Sequence, residues 1–234
     1  MNFELSEEQK MIQQSVERFV QESYDLPTRV KLSGEDVGFS KDYWSSMAEL
    51  GWLGLPFSEE DGGFGGNQID IIVIMEQFGR GLVLEPFLSG VVMAGGAIKR
   101  GGNKNLKQEF LSALIEGTKQ LSFGYAEIQS RFDLEDVATT AKKDGDSYII
   151  NGQKSMVLNA ESANAIVISA RTDGAQVDKN GISLFLIDLD SKGVEKENFP
   201  TVDGLRASEI SFENVKIDSS RLIGSLNEGF QILQ

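Results

Sequence analysis

The spacing of apolar residues changes once along the chain, near residue 118. Before that point apolar residues recur every three or four positions, as on one face of a helix. After it they alternate with polar residues, as in half-buried strands. The pattern therefore predicts an α+β fold, with an N-terminal helical domain over residues 1–118 and a middle β-barrel or sandwich-like domain over residues 119–223.

The helical half carries clear start signals. A capping box predicts that the first helix begins after Ser6, and Ser40 and Asn103 are suited to cap two others. The stretch 68–78 is apolar nearly all round, so we expect it to be a central, buried helix. Pro86 opens a further helix in the first-turn position that proline tolerates.

Seven strands are predicted after residue 118, separated by turns of the Asp-Gly, Asn-Gly and Lys-Gly type. The last segment, 224–234, begins an apolar helical pattern and then stops. We expect it to be the start of a truncated C-terminal helical domain, whose helical bundle is absent from this chain. The predicted strands are 120–125, 137–142, 148–157, 165–171, 182–188, 194–199 and 208–215.

Composition removes several classes of function. The formal net charge is −14, which disfavours nucleic acid and anionic membrane as partners. Cysteine and histidine are both absent, so the chain has no disulfide, no Cys nucleophile, no Ser-His-Asp relay and no thiolate or imidazole metal site. The lack of cysteine fits a cytoplasmic location. The apolar stretch 82–98 is interrupted by Glu85 and Pro86, and we interpret it as a buried helix, not a membrane span.

Three sequence features leave alternatives open. The glycine-rich stretch 62–66 is either a phosphate-binding loop or a tight connection, and the carboxylates at 59–61 favour the connection. Glu76 and Glu127 lie in apolar surroundings, where a carboxylate has a raised pKa and can act as a base. The alternative for each of the two, a structural role as a capping or paired carboxylate, is the favoured one.

A series of motifs resembles the acyl-CoA dehydrogenase family, in the family's order and over essentially the whole chain. Residues 55–66 (LPFSEEDGGFGG) are similar to its Pro-Glu-x-x-Gly-Gly-x-Gly loop. The amino-acid sequences of segments 130–136 and 203–209 are most similar to those of the small subunits of pimeloyl-CoA dehydrogenases. This resemblance implies a dicarboxylyl-CoA as a candidate substrate. The other motifs are 123–133 (FGYAEIQSRFD), 137–141 (VATTA), 151–154 (NGQK), 154–159 (KSMVLN), 204–208 (GLRAS), 212–215 (FENV) and 227–230 (NEGF).

The resemblance implies a reaction and its partners. Enzymes of this family introduce an α,β double bond into an acyl-CoA: a glutamate takes the α-proton, FAD takes the β-hydride, and the electrons pass to an electron-transfer flavoprotein. The family's catalytic glutamate belongs to the C-terminal helical domain, so the resemblance places the base beyond Gln234. It also implies homo- or hetero-oligomers, the latter with a second acyl-CoA dehydrogenase-like subunit.

The resemblance also implies which residues face the flavin, and most of them lack the family's polar groups. Ala126 and Leu158 stand where the family has threonines, Phe132 where it has a serine near the FAD phosphates, and Met156 where a tryptophan flanks the ring. Two interpretations stay open: these residues contact the flavin, or they close an apolar pocket that holds none. The implied cofactor-binding positions are Phe123, Tyr125, Ala126, Phe132, Met156 and Leu158.

The implied acyl cleft lies beside the helix that Pro86 opens. Small side chains there leave room for a fatty chain, and the implied substrate-binding residues are Pro86, Ser89, Gly90 and Met93. Three functions follow as hypotheses: an FAD-dependent acyl-CoA dehydrogenase, a non-catalytic partner subunit with a degenerate flavin site, and a free-standing acyl-CoA-binding module. We expect the chain by itself to be inactive and to hold no FAD.

Overall fold

A computed structural model describes residues 4–234 and divides the chain into two compact units. The first runs to Glu85 and includes Ile115–Gly117; the second comprises Pro86–Leu114 and Thr118–Gln234. Contacts thus group residues 86–114 with the strands. The domain boundary near residue 118 divides the chain by element type, and it stays a prediction.

The first unit is helical, as the apolar spacing predicts. The capping box at Ser6 is formed: its hydroxyl accepts from the Gln9 amide, and the Gln9 side chain accepts from the Ser6 amide. The Ser40 hydroxyl caps the third helix by accepting from the Tyr43 amide at 3.2 Å. A short helix after Asp25 was not predicted from the sequence. The helices are α1 (Glu7–Ser23), α2 (Leu26–Ser33), α3 (Lys41–Glu49) and α4 (Gln68–Gly81), with a 3-10 turn at Glu59–Asp61.

Helix α4 is only half buried, so the prediction of a helix enclosed on all sides is wrong. Ile69 and Ile72 are 51% and 62% exposed, whereas Val73, Ile74 and Phe78 are buried. The prediction rested on the apolar content of the helix, and apolar content does not tell which face of a helix is buried. The core of the unit is filled by Val16, Trp44, Met47, Trp52, Leu53, Phe57, Ile74 and Phe78.

The second unit begins with a helical segment on which Pro86 is the N-cap. A π-helical stretch, Phe87–Gly95, continues into α5 (Gly96–Gly101). Asn103 then caps the next segment as predicted, its side chain accepting from the Leu106 amide at 3.0 Å. That segment consists of α6 (Lys104–Leu106), a π-helical stretch (Lys107–Leu111) and α7 (Ser112–Ile115).

One eight-stranded sheet forms the rest of the second unit. Its order is β6-β7-β3-β2-β4-β5-β8, with β1 pairing in parallel to β4, and the path does not close on itself. The α+β fold class is confirmed, but the described sheet is open and is not a closed barrel. The strands are β1 (Leu121–Gly124), β2 (Thr140–Asp144), β3 (Ser147–Leu158), β4 (Ala165–Arg171), β5 (Ile182–Asp188), β6 (Val194–Pro200), β7 (Arg206–Asp218) and β8 (Leu222–Ile223).

Seven of the eight strands agree with the predicted ones to within a few residues; β8, two residues long, was missed. Alternating apolar residues of β3, β4, β5 and β7 form the core of the sheet, with Ile150, Ile166, Ile168, Phe185 and Ile187 fully buried. After β8 the chain turns into α8 (Phe230–Leu233). Among residues 4–234 no helix combines the length and the apolarity needed to cross a membrane.

Candidate functional site

The end of β1 and a bulge in β3 lie side by side and form the candidate site. The Ser155 amide donates to the Ala126 carbonyl at 2.9 Å, which fixes the two segments to each other. In the β3–β7 pairing Lys154 is opposite Ile210 and Val157 is opposite Ser208. Two residues of β3 therefore face a single residue of β7, which is the geometry of a β-bulge.

The bulge turns Met156 outward. Met156 has a φ of +53° and is 53% exposed. The bulge interrupts the alternation of β3 here, since Lys154 and Val157 are both buried and two residues lie between them. A non-glycine residue in this left-handed region is strained and needs support from its surroundings. Glu209, the single residue of β7 opposite the bulge, gives that support: its Oε1 accepts from the Ser155 hydroxyl at 2.7 Å and from the Met156 amide at 3.2 Å.

A buried ion pair lies next to the wall that Ala126, Ser155 and Met156 form. Lys154 is fully buried, and its Nζ donates to Glu127 Oε1 at 2.6 Å and to the Ser169 hydroxyl at 3.0 Å. The Glu127 carboxylate also accepts from the amides of Ala138 and Thr139. Both charges are thus paired and hydrogen-bonded, as a buried pair must be. Because Glu127 follows Ala126 and Lys154 precedes Ser155, the pair holds Ala126 and Ser155 in place.

The pKa values of the pair reflect burial and mutual attraction. Burial lowers the pKa of Lys154 to about 8, against the opposing effect of the Glu127 charge. Burial by itself raises the pKa of Glu127, but the Lys154 charge and the hydrogen bonds from Lys154 and Gln129 outweigh it and hold the pKa below its ordinary value. Glu127 is consequently a structural anion and not a base, which decides the alternative that the sequence left open.

Glu76, in contrast to Glu127, lies at the surface, so the expected apolar surroundings are not found for it. It is exposed on α4 and forms a salt bridge with Arg80 at 2.7 Å, one turn away. The glycine-rich stretch 62–66 is a tight connection: the amides of Gly63 and Gly65 donate to the carbonyls of Ser58 and Phe57. In the described chain it follows a 3-10 turn and not a strand, so the phosphate-loop interpretation is wrong.

The loop after Glu127 carries two exposed apolar side chains. Ile128 is 73% exposed and Phe132 is 91% exposed. Arg171 ties the far end of this loop to the next one, since its guanidinium donates to the carbonyls of Glu135 at 2.8 Å and Gln176 at 2.6 Å. The loop is therefore anchored at its base while its apolar tip faces solvent.

The structure brings together only some of the predicted cofactor-binding residues. Ala126 and Met156 meet through Ser155, and the rings of Phe123 and Tyr125 lie 6.2 Å apart. Leu158 is half-buried at the end of β3. Phe132 has no ring contact or hydrogen bond within the described residues. Outside the strand ladders, the amides of Tyr125 and Ala126 donate to no other group of residues 4–234.

The predicted substrate-binding residues lie along the π-helical stretch. Pro86, Ser89 and Gly90 are buried, and Met93 is half-buried. A Cβ atom at position 90 would lie 3.2 Å from the Leu121 carbonyl oxygen of β1. Gly90 therefore permits close packing of helix and strand, and the space beside it belongs to β1. The Ser89 hydroxyl donates to the Pro86 carbonyl at 3.4 Å.

Sequence reasoning missed Glu209 as a residue of the site. It lies within the segment 203–209 that carries the family resemblance, but its role depends on the bulge in β3. A bulge shifts the apolar alternation of its strand by one residue. In β3 the shift falls in the mostly polar segment 151–156, where the sequence shows no clear alternation that it could interrupt. No group of His, Cys, Asp or Glu within residues 4–234 is arranged to hold a metal ion.

Comparison with known proteins identifies the family to which the fold and the motifs belong. The family model "Acyl-CoA dehydrogenase, N-terminal domain" matches residues 6–118, and "Acyl-CoA dehydrogenase, middle domain" matches residues 122–215. The chain belongs to the acyl-CoA dehydrogenase family. The members of this family are FAD flavoproteins, oxidoreductases of fatty acid metabolism.

Similar acyl-CoA dehydrogenases are longer than this chain. Probable acyl-CoA dehydrogenase YngJ of Bacillus subtilis is 32% identical over 99% of this chain and 62% of that protein. The caffeyl-CoA reductase-Etf complex subunit CarC of Acetobacterium woodii is 31% identical over 96% of this chain and 60% of that protein. The chain thus spans about three fifths of the length of these curated relatives.

A solved acyl-CoA dehydrogenase structure has the same fold. The glutaryl-coenzyme A dehydrogenase glutaryl-CoA complex superposes with a TM-score of 0.89 at 26% identity, and the match covers 100% of this chain and 60% of that one.

Proposed function

We propose that the whole protein is a subunit of an FAD-dependent acyl-CoA dehydrogenase that introduces an α,β double bond into an acyl-CoA. Support comes from the family membership of both domains and from the acyl-CoA dehydrogenases among the relatives. FAD, when bound, supplies the hydride acceptor. The catalytic base belongs to a part of the whole protein beyond Gln234.

The wall formed by Ala126, Ser155 and Met156 fits the flavin only in part. Backbone amides of Tyr125 and Ala126 supply donors for the polar edge of a flavin ring, and Met156 supplies an apolar surface. Hydroxyl groups, by contrast, are missing from positions 126, 132 and 158. The Met156 amide is already bonded to Glu209.

The missing hydroxyls set the expected affinity. A hydrogen bond of this kind contributes about 0.5–1.5 kcal/mol, so three lost bonds weaken binding by roughly one to three orders of magnitude. Association also costs several kcal/mol in lost freedom of motion. We therefore propose that this chain by itself retains no FAD, and that the remainder of the protein or a partner subunit is needed to hold it.

A second candidate function is a non-catalytic partner subunit of a hetero-oligomeric acyl-CoA dehydrogenase. The observation that favours it is the same wall: three hydroxyl positions are apolar, and Glu209 occupies the amide of Met156. In that case the chain contributes structure and part of an acyl-CoA cleft, and a partner subunit holds the flavin. A free-standing acyl-CoA-binding module is less well supported, because the relatives are longer dehydrogenases.

One substitution separates the two candidates. Ala126→Asp places a carboxylate at the wall beside the Ser155 amide, whereas Val177→Asp adds the same charge at a position that is 63% exposed and serves as the control. Each variant is purified as the whole protein within its assembly, and flavin per assembly is measured by visible absorbance. If this chain holds flavin, Ala126→Asp lowers the flavin content and Val177→Asp does not. An unchanged flavin content in both variants supports the partner-subunit function.

The proposals for the substrate and for the electron-transfer partner rest on similar proteins. The glutaryl-CoA complex among the similar structures and the resemblance of segments 130–136 and 203–209 support a dicarboxylyl-CoA. The Etf complex that contains CarC supports an electron-transfer flavoprotein as the electron-transfer partner. Of the predicted substrate-binding residues Pro86, Ser89, Gly90 and Met93, only Met93 is not buried, and β1 fills the space beside Gly90. We therefore place the acyl chain beside the π-helical stretch at Met93. We propose a cytoplasmic location from the absence of cysteine.

Met93 tests the placement of the acyl chain. It is the half-buried member of the set, so a change of its volume disturbs packing least. Met93→Ala is expected to shift the preference of the assembled enzyme toward longer or bulkier acyl-CoA substrates, measured as the ratio of kcat/KM values. A ratio equal to that of the unmodified enzyme argues against the placement.

A further inference from the structure

We propose that Glu209 is a positioning residue, whose carboxylate locks the β3 bulge and holds Met156 on the flavin-facing wall. The inference rests on the function proposed above, because that function gives Met156 its place in the site. The lock itself is a property of the fold that is measured without cofactor or substrate.

The hydrogen bonds of the bulge carry the argument. A bulge leaves one residue without a ladder partner, and in β3 the Met156 amide donates instead to Glu209 Oε1 at 3.2 Å. The same oxygen accepts from the Ser155 hydroxyl at 2.7 Å. One carboxylate oxygen thus binds both residues of the bulge. Hydrogen bonds to a charged acceptor are about twice as strong as those between neutral groups.

The pairing with β6 shows that the Glu209 carboxylate does not stabilise the sheet on that side. In the β6–β7 pairing Glu209 is directly opposite Glu197, and the next residue of the same face of β6 is Glu195. Like charges directly opposite each other destabilise a strand pair. A neutral or basic residue at position 209 would pair better with Glu197. The carboxylate therefore has its use toward β3, at Ser155 and Met156.

Its effect falls on one side chain. Met156 has a φ of +53° and would relax to an extended conformation if the amide were released, and such a change turns the side chain to the other face of the strand. Glu209 consequently keeps the Met156 side chain on the face of β3 that forms the wall. The buried Lys154 next to the bulge stays anchored to Glu127 in either case.

Three variants test the lock. Glu209→Ala removes both hydrogen bonds, Glu209→Gln keeps an acceptor oxygen without the charge, and Glu197→Ala removes the neighbouring charge without touching the bulge. The readouts are amide hydrogen exchange at Met156 and the position of the Met156 methyl signal in a spectrum of the ¹³C-methyl-labelled protein. Glu209→Ala is expected to raise amide exchange at Met156 at least about tenfold and to shift the methyl signal. Glu209→Gln restores most of the protection, and Glu197→Ala leaves both readouts unchanged.

Two results would overturn the proposal: an unchanged Met156 amide and methyl signal in Glu209→Ala, or an equal change in Glu197→Ala. If Glu209→Ala does not fold, Ser155→Ala removes one of the two hydrogen bonds, and its expected result is a smaller rise in exchange at Met156. No rise in that variant would also overturn the lock. Because none of these readouts uses flavin, a failure of the lock is distinguishable from a failure of the proposed function.

Discussion

At the scale of single residues, the buried pair of Lys154 and Glu127 supports the candidate site. Both residues lie in segments that resemble the family's motifs, but the sequence does not show that they meet, because they are 27 positions apart. Only the packing of the segment after β1 against the bulged part of β3, joined by the bond from the Ser155 amide to the Ala126 carbonyl, brings them within 2.6 Å. The sequence also left open whether Glu127 is a base. Its ion pair with Lys154 answers the question, and that pair is a tertiary contact that the sequence does not show.

Removing the lysine is expected to be costly. Lys154→Met leaves the Glu127 carboxylate buried without its counter-charge, which destabilises a fold by about 3–5 kcal/mol. The loss is measured as the free energy of unfolding in urea. The double variant with Glu127→Gln removes the orphaned charge, so we expect it to be more stable than Lys154→Met alone. A double variant less stable than the single one would contradict the pairing.

Glu127 is also expected to contribute to acid sensitivity. Its pKa in the folded protein lies below the ordinary value of 4.5, so its ionised form stabilises the fold fully above pH 4.5. That contribution is lost as pH falls below 4.5 through the lowered folded pKa. In Glu127→Gln the group does not titrate, so its thermal midpoint falls less steeply below pH 4.5 than that of the unmodified protein. Equal slopes in the two proteins would show that folding does not lower the pKa of Glu127.

At the scale of elements, the sequence predicted the strands well and their irregularities poorly. The strands Ala165–Arg171 and Ile182–Asp188 were predicted with their observed bounds, because buried strands are apolar along their whole length. The exposure of Ile69 and Ile72 on α4 was not predicted, since apolar content does not tell which face meets the core. The bulge in β3 could not be predicted either, because pairing partners decide where a strand slips.

A glycine tests a second irregularity of β3. The register also shifts between Ile150 and Gly152, where Gly152 has a φ of +145°. A Cβ atom there would lie 2.6 Å from the Thr139 Cα, so Gly152→Ala combines strain with a clash and is expected to cost about 2–4 kcal/mol. Gly145→Ala is the control: φ is +60° but nothing lies within 4 Å, and the expected cost is about 1 kcal/mol. Urea denaturation of both variants checks the difference, and equal losses would contradict the packing at Thr139.

At the scale of the whole molecule, the motifs identified the family and the structure explains how its site is altered. The order of the motifs along the chain was enough to predict membership of the acyl-CoA dehydrogenase family, and both family models confirm that membership. The sequence also showed that Ala126, Phe132 and Leu158 lack hydroxyls. It did not show that the Met156 amide is bonded to Glu209, because that contact joins two strands that are distant in sequence.

The most direct test of the proposed function is reduction of flavin by substrate. The whole protein, purified alone and in its assembly with an acyl-CoA dehydrogenase-like subunit, is mixed anaerobically with acyl-CoA and dicarboxylyl-CoA compounds while its visible flavin absorbance is recorded. We predict that the assembly contains flavin and that at least one acyl-CoA bleaches it, with formation of the α,β-unsaturated product. An assembly without flavin, or flavin that no acyl-CoA reduces, would contradict the proposal that this chain belongs to an acyl-CoA dehydrogenase enzyme.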